Sequence, residues 1–228
     1  IMANSSLGSG EKQDAYDYVE IYNNSNSPVK LKDYRLEWYG YGGSLTTWDF
    51  TSELYGDKVI PAKGTLVIWI KANDIYVGLK NLNDFNARYG TNLTSDQVVE
   101  YIGATLEDKD SRLLFISKDP SVKLSQARYN FGLDLNTPVK EDLSNEYKYP
   151  TNGTDVAKTI AIGGIPTPGI VDPSQVPYDP SDVTLSDIKV NGKSIGGFSK
   201  TVTDYAIELP YGTTVMPEIT ATTAIRSA

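Results

Sequence analysis

The residues of this chain that could do chemistry include a group of acids close to its start. Asp14, Asp17 and Glu20 lie in the stretch DAYDYVE. Carboxylate oxygens at this density suit calcium, which prefers oxygen ligands. The spacing lacks the alternating ligands and the fixed glycine of an EF-hand loop, and solvated turn residues are the plainer explanation. Calcium bound by Asp14, Asp17 and Glu20 is therefore a hypothesis, and the sequence suggests no other cofactor.

Glu20 raises a further question, because it lies between two tyrosines. In an extended strand with a two-residue period, Tyr18, Glu20 and Tyr22 share one face, and Val19 and Ile21 share the other. A catalytic glutamate needs a second acid or base at a suitable distance, and no such partner of known spacing accompanies this one. A partly buried carboxylate that accepts hydrogen bonds from backbone or tyrosine groups fits the pattern better. We therefore expect Glu20 to be structural.

A cluster of aromatic residues is the best binding candidate. Trp38, Tyr39, Tyr41 and Trp48 lie in the glycine-containing stretch EWYGYGGSLTTW. Planar rings on a mobile loop could stack on sugars or pack into a partner protein. Strand alternation, however, turns at least Trp38 or Tyr39 inward, so that about half of the cluster belongs to the core. Binding and core packing both remain open for these four residues.

The composition excludes several classes of enzyme, because the 228 residues contain no histidine and no cysteine. A Ser-His-Asp triad, a Cys-His pair and a histidine or thiolate metal site are therefore impossible within this chain. Two carboxylates or a serine-lysine pair could still support catalysis. No S-x-x-K element of the penicillin-binding type occurs, and we expect the chain not to be an enzyme.

The charge and hydropathy of the chain limit its partners. The net charge is −8, with 29 acidic and 21 basic residues and no basic cluster. This distribution argues against nucleic acid and against an anionic membrane surface. No apolar run approaches the roughly 18 residues of a membrane-spanning helix. We expect a soluble chain that is a piece of a longer protein.

The elements that must position these residues are mostly strands. Short strand-like runs bounded by Gly, Pro, Asn or Asp indicate a β-sandwich or a barrel. They are residues 17–23, 34–39, 46–50, 65–70, 112–117 and 122–130. Two short helices are predicted as an insertion. One has Asn83 as N-cap and Gly90 as its stop, and the other has Thr94 or Ser95 as N-cap and Gly103 as its stop.

A second, smaller region follows a change of composition. Residues 169–182 are rich in proline and predict a semi-extended linker. Beyond it, Asn191-Gly192 between two strand-like runs predicts a two-residue hairpin turn. Residues 183–228 are fewer than the roughly 100 residues of a sandwich domain. We therefore expect a partial second β unit at 183–228.

Residues 17–70 resemble the lamin-tail domain family, which has an immunoglobulin-like sandwich fold. Three elements carry the resemblance: an aromatic-x-Glu strand that ends in Tyr-Asn, a "PVDLSGW"-like segment, and a Pro-x-Gly turn before an apolar strand. Their residues here are Tyr18, Glu20, Tyr22 and Asn23, then Pro28, Val29, Leu31, Tyr34 and Leu36, then Pro61, Gly64 and Leu66. The resemblance implies an all-β, immunoglobulin-like β-sandwich with a short helical insertion over residues 1–168. The later region resembles a longer bacterial version of the domain, which occurs in secreted multidomain proteins, often next to a calcineurin-like metallophosphoesterase.

Residues 183–228 resemble part of a cadherin-like or bacterial Ig-like repeat of surface proteins, through the stretch LSDIKVNGKSIGGFSKTVTDYAIELPYGTT. Both resemblances imply a location outside the cell or at its surface, and neither implies catalysis. The implied function is an accessory or binding domain that positions or anchors a neighbouring catalytic domain. Implied partners are the neighbouring domains, envelope polysaccharide or a surface protein. The alternatives are a carbohydrate-binding module that uses exposed aromatics and a carboxylate-based hydrolase.

Overall fold

The computed structural model divides the chain into two compact units, Ile1–Pro177 and Tyr178–Ala228. Each unit is considered by itself. The structure describes residues 1–6, 15–40, 42–72, 80–106, 111–121, 127–131, 139–150, 155–176, 185–196, 198–199 and 202–223. Asp14 and Tyr41, which belong to the calcium and binding hypotheses, lie outside these ranges.

The first unit is built almost entirely of strands. A single 3-10 turn, Leu31–Asp33, accompanies two short α-helices in its described part, α1 (Ser52–Tyr55) and α2 (Leu82–Tyr89). The strands are β1 (Tyr18–Tyr22), β2 (Val29–Lys30), β3 (Tyr34–Tyr39), β4 (Leu45–Asp49), β5 (Val59–Ile60), β6 (Thr65–Lys71), β7 (Val98–Ile102), β8 (Ser111–Ser117), β9 (Ala127–Phe131), β10 (Ser144–Lys148) and β11 (Lys158–Gly164).

Two sheets of this unit enclose the main core. One has the strand order β1-β6-β7 and the other β4-β3-β8-β9, while β2-β5 and β10-β11 form two-stranded pairs. Every described pairing is antiparallel except that of β6 with β7. Alternate side chains of β1, β6, β3 and β8 meet in one buried cluster, which includes Val19, Ile21, Leu66, Ile68, Leu36 and Leu113. The expected all-β, immunoglobulin-like fold is confirmed.

Strand β6 explains how the first sheet is covered on both faces. Its residues TLVIWIK are buried almost throughout, without the polar alternation of a half-exposed strand. Ile68 and its alternate neighbours face the main core, whereas Val67 and Trp69 face a second buried cluster that contains Phe85 of α2. Burial on both faces produces a continuous apolar run. The face of β1 that carries Tyr18 is therefore also covered.

Helix α2 begins two residues earlier than the predicted N-cap. The N-cap is Asn81, whose side chain accepts hydrogen bonds from the backbone N–H groups of Asn83 and Asp84. The Asp84 carboxylate accepts in return from the backbone N–H of Asn81, which completes a capping box. Gly90 ends the helix in the left-handed conformation, with φ 65°, as the sequence predicted.

The second predicted helix is wrong, because its residues form β7 parallel to β6. Val98 and Val99 are both buried, and they face opposite sides of the sheet. Such alternation and β-branching suit a strand that continues the sheet. The capping signals belong instead to a turn, where the Gln97 side chain accepts from the backbone N–H of Thr94 at 3.0 Å.

Other elements were missed or only partly predicted. The sequence did not indicate α1, β10 or β11. The strand predicted at 122–130 corresponds to β9, whose described part is Ala127–Phe131. Residues 122–126 lie outside the described ranges.

The second unit contains a three-stranded antiparallel sheet in its described residues. The strands β12 (Leu185–Val190), β13 (Lys193–Ser194) and β14 (Ile219–Thr223) have the order β13-β12-β14. Asn191 and Gly192, with φ of 49° and 78°, connect β12 to β13. Positive φ at both central residues is typical of the type I′ hairpin turn. The predicted hairpin is confirmed.

Candidate functional site

A small polar cavity lies beside Glu20. Its wall is formed by Ile1, by one face of β1, by Tyr129 of β9, by β10 with the adjacent Tyr149, and by residues 165–176, which we call the strap. The cavity volume is about 30 Å³. One water molecule occupies at least roughly 10–15 Å³ by this measure, so the space suits about two waters. Glu20 and Glu146 are the two carboxylates at the cavity.

The Glu20 carboxyl is held by two hydrogen bonds. The backbone N–H of Gly169 donates to Glu20 Oε1 at 3.0 Å, and the Thr65 hydroxyl donates as well. Burial raises the pKa of Glu20 to about 7, although both hydrogen bonds and the amino group of Ile1 favour the ionised form. The desolvation of the carboxylate therefore outweighs its hydrogen bonds. Glu20 is thus a half-buried acid whose pKa is raised to about 7 by desolvation.

The strap makes further contacts with β1 and β10. The backbone of Thr167 hydrogen-bonds to the hydroxyl of Tyr18, whose pKa burial raises strongly. The Gln175 side chain donates to the backbone oxygen of Tyr147 at 3.2 Å, and the N–H of Tyr149 donates to the backbone oxygen of Gln175 at 2.7 Å. Thus the first part of the segment predicted as a linker is bonded to the first unit as far as Gln175.

Gly169 is placed where only glycine fits without strain. Its φ is 87°, and a Cβ atom at this position would lie 2.5 Å from Leu93 Cδ2. Left-handed backbone favours glycine, because a side chain there meets its own carbonyl. The close approach lets the Gly169 N–H reach Glu20. The role of Gly169 was not predicted from the sequence, in which the "PTPG" run was the only local signal.

Asn23, the last residue of the aromatic-x-Glu strand motif, organises the loop after β1. Its side-chain nitrogen donates to the backbone oxygens of Ser27 at 2.8 Å and Ile60 at 3.1 Å. Its side-chain oxygen accepts from the N–H of Ser25 at 3.0 Å and from the Ser25 hydroxyl at 2.8 Å. The amide thus joins this loop to β5, and the four bonds describe a structural residue.

Replacing Asn23 with alanine is expected to lower the free energy of unfolding by about 1–2 kcal/mol. The substitution leaves the buried backbone oxygen of Ile60 without its donor and frees the loop. Thermal or urea unfolding followed by tyrosine and tryptophan fluorescence measures the change. Asn24→Ala is the matched control, because the Asn24 side chain is exposed. Equal stabilities of the two variants would show that the Asn23 bonds are dispensable.

The described calcium candidates, Asp17 and Glu20, do not lie together as ligands of one ion. Asp17 and Glu20 are three positions apart in extended backbone and therefore face opposite sides. The Asp17 carboxylate accepts from the N–H of Ser5 at 3.0 Å, whereas Glu20 faces the strap. Within the described ranges, no group of three or more potential metal ligands is present.

The three described aromatic candidates, Trp38, Tyr39 and Trp48, are separated by the sheet. Trp48 is 2% exposed in the main core, and its ring lies 6.0 Å from that of Trp38. Tyr101 of β7 stacks on Trp48 with a centroid distance of 5.4 Å. Tyr39 lies on the outer face of β3, where the Arg112 guanidinium is 4.9 Å from its ring centroid. The role of Tyr101 was not predicted, because the capping residues around its segment indicated a helix.

The sequence model of the lamin tail domain family matches residues 1–128, more than half of the chain. The chain belongs to the lamin tail domain family. A protein of Bacillus subtilis (strain 168), described as uncharacterized protein YvnB, is 29% identical over 183 residues. The match covers 78% of this chain and 13% of the relative, so the chain spans only a small part of that relative's length.

The boundary of the family match divides the site. Glu20, Thr65 and Leu93 lie inside the matched residues 1–128 of this lamin tail domain. β10, β11 and the strap lie after them, so that the cavity combines the family's sandwich with a later part of the chain. In the described ranges, the structure contains no helix that is long and apolar enough to cross a membrane.

Proposed function

We propose that this lamin tail domain is a non-catalytic accessory module of a longer, secreted or surface-exposed polypeptide, in which it positions or anchors a neighbouring domain. The observation that carries the proposal is the match of residues 1–128 to a family of immunoglobulin-like, non-catalytic domains. The much greater length of the Bacillus relative supports a setting among other domains. Partners of the module are then the neighbouring domains and an envelope component, either polysaccharide or protein.

The chemistry at Glu20 supports a non-catalytic role over a carboxylate-based hydrolase. Glu20 and Glu146 line the same cavity, but its volume of about 30 Å³ has no room for a substrate. The Glu20 carboxyl accepts hydrogen bonds from the strap backbone and from Thr65. The carboxyl therefore acts as a tie between two segments of the fold.

The arrangement of the aromatic residues also disfavours a carbohydrate-binding module built on the tryptophans. A sugar ring stacks on an exposed aromatic face. Trp48 is almost completely buried, and its ring contacts Trp38 and Tyr101. These rings close the interior of the sandwich.

The proposal is tested in the complete open reading frame that encodes this chain. Deleting residues 1–176 is expected to leave the kcat of a neighbouring catalytic domain on a soluble substrate unchanged within about twofold. The fraction of the protein retained at the cell envelope is expected to fall. A full-length protein that carries Thr47→Ala, an exposed position of β4, is the control and should behave like the wild type.

Three results would contradict the proposal. One is an open reading frame without any further domain. The second is substrate turnover by purified residues 1–228 on phosphoester or glycoside substrates. The third is unchanged retention at the envelope together with unchanged catalysis after the deletion.

A further inference from the structure

The strap is attached to the sandwich by a hydrogen bond to Glu20. The strap also shields the Glu20 carboxyl from water. The Gly169 N–H donates to Glu20 Oε1, and Thr167 and Gln175 add bonds to Tyr18 and Tyr147 on either side. Leu93 packs against Gly169. When these contacts are made, Glu20 faces a cavity of only about 30 Å³. If the strap lifts, the same carboxyl is open to solvent.

We propose that Glu20 and the strap form a pH-sensitive latch, which is held most firmly when the Glu20 carboxyl is protonated and opens more often when it is ionised. The proposal goes beyond the accessory function and does not depend on it. It concerns the first unit alone, because β1, β10 and the strap all belong to Ile1–Pro177.

The direction of the effect follows from the two environments of the carboxyl. Beneath the closed strap, burial raises the pKa of Glu20 to about 7 from the ordinary value of 4.5. When the strap is open, the Glu20 carboxyl is hydrated and its pKa returns towards that ordinary value. The closed state therefore binds the proton more tightly, and closure weakens as the pH rises from about 4.5 through about 7. Above that range the weakening is complete.

The other ionisable groups around the carboxyl change the size of this effect, and the test below compares proteins that share them. Glu146 of β10 adds negative charge to the cavity, and tyrosine hydroxyls are neutral in this pH range. The amino group of Ile1 lies within the cavity wall and favours the ionised form of Glu20. Burial lowers the pKa of this amino group to about 6, so its own titration favours closure as the pH rises from about 6 to 8 and opposes that of Glu20. The groups that face Glu20 from the surrounding segments are Ile1, Tyr18, Tyr22, Tyr129, Glu146, Tyr147 and Tyr149.

Hydrogen exchange of the strap tests the latch. The exchange rate of the Gly169 amide is measured in the wild type and in Glu20→Gln at pH 5, 6, 7 and 8. Glutamine is close in shape to protonated glutamate and still accepts from the Gly169 N–H. The ratio of the two rates at one pH cancels the intrinsic exchange rate. From the pKa values of 4.5 in the open state and about 7 in the closed state, we expect a ratio of about fourfold at pH 5 that rises to the order of a hundredfold at pH 8.

Glu146→Gln is the matched control, because Glu146 is the second carboxylate at the cavity. This variant should retain the pH response of the wild type, and Ile1 is unchanged in all three proteins. A ratio that does not change with pH would overturn the latch. Loss of the pH response in Glu146→Gln rather than in Glu20→Gln would overturn it equally.

A second measurement uses the wild type alone and does not depend on the folding of a variant. The carboxyl carbon of Glu20 is followed by NMR during a pH titration. The latch requires a midpoint near the pKa of about 7. A midpoint near the ordinary pKa of 4.5 would show that the closed strap does not favour the protonated form, and it would refute the proposal.

Discussion

Trp48→Ala is expected to lower the free energy of unfolding of the first unit by about 3–5 kcal/mol. Trp48 is 2% exposed, and its ring contacts Trp38 of the same sheet and Tyr101 of the facing sheet. Removing the indole leaves a cavity that the paired strands β3 and β4 are unable to close, because their backbone hydrogen bonds hold them in register. Urea unfolding monitored by circular dichroism measures the loss.

The matched control for this substitution is Thr47→Ala on the same strand. Thr47 is exposed, so its replacement should change the free energy of unfolding by no more than about 0.5 kcal/mol. Wild-type stability of Trp48→Ala, combined with the loss of binding to a glycan, would contradict the core assignment. Such a result would restore the tryptophans as a binding surface.

Gly169→Ala is the second substitution with a large expected effect, a loss of about 2–4 kcal/mol. The residue has a φ of 87°, and the new Cβ would lie 2.5 Å from Leu93 Cδ2. The strap is therefore displaced, and the Gly169 N–H moves away from Glu20. Because the exposed carboxyl then titrates normally, the pKa of Glu20 should also fall from about 7 towards 4.5. Chemical unfolding and a carboxyl NMR titration record these two effects.

A double-mutant cycle separates the steric clash from the backbone strain. Leu93→Ala removes the atom that the new Cβ would meet, so Gly169→Ala should be less harmful in that background, with a coupling energy of about 1 kcal/mol. The residual penalty then reports the positive φ. If the two substitutions were additive, the clash with Leu93 would not be the source of the destabilisation. Gly196→Ala in the second unit is the control, since a Cβ atom there would meet nothing within 4 Å and the φ of Gly196 is not in the left-handed range.

The fold class was accessible from the sequence because its signals are local. Two-residue alternation, turn residues and the aromatic-x-Glu strand motif each act over a few neighbouring positions. The same holds for Gly90 and for Asn191-Gly192, whose positive φ values require particular residue types. The helix predicted after Thr94 failed because capping signals at a turn were stronger locally than the β-branched pair that follows. The parallel pairing of β7 with β6 makes that segment a strand.

The sequence by itself determined that this protein is an all-β lamin tail domain without histidine or cysteine chemistry, and it placed Glu20 between two tyrosines on a strand. Only the tertiary structure decided which groups surround Glu20. The donor to Glu20 is Gly169, which lies 149 positions further along the chain. Burial, to which the strap contributes, raises the pKa of Glu20 although the Gly169 hydrogen bond itself favours the ionised form. The inward position of Trp48 is likewise a consequence of sheet pairing. Long-range contacts of this kind leave no periodic trace in the sequence, because either partner alone would suit many other environments.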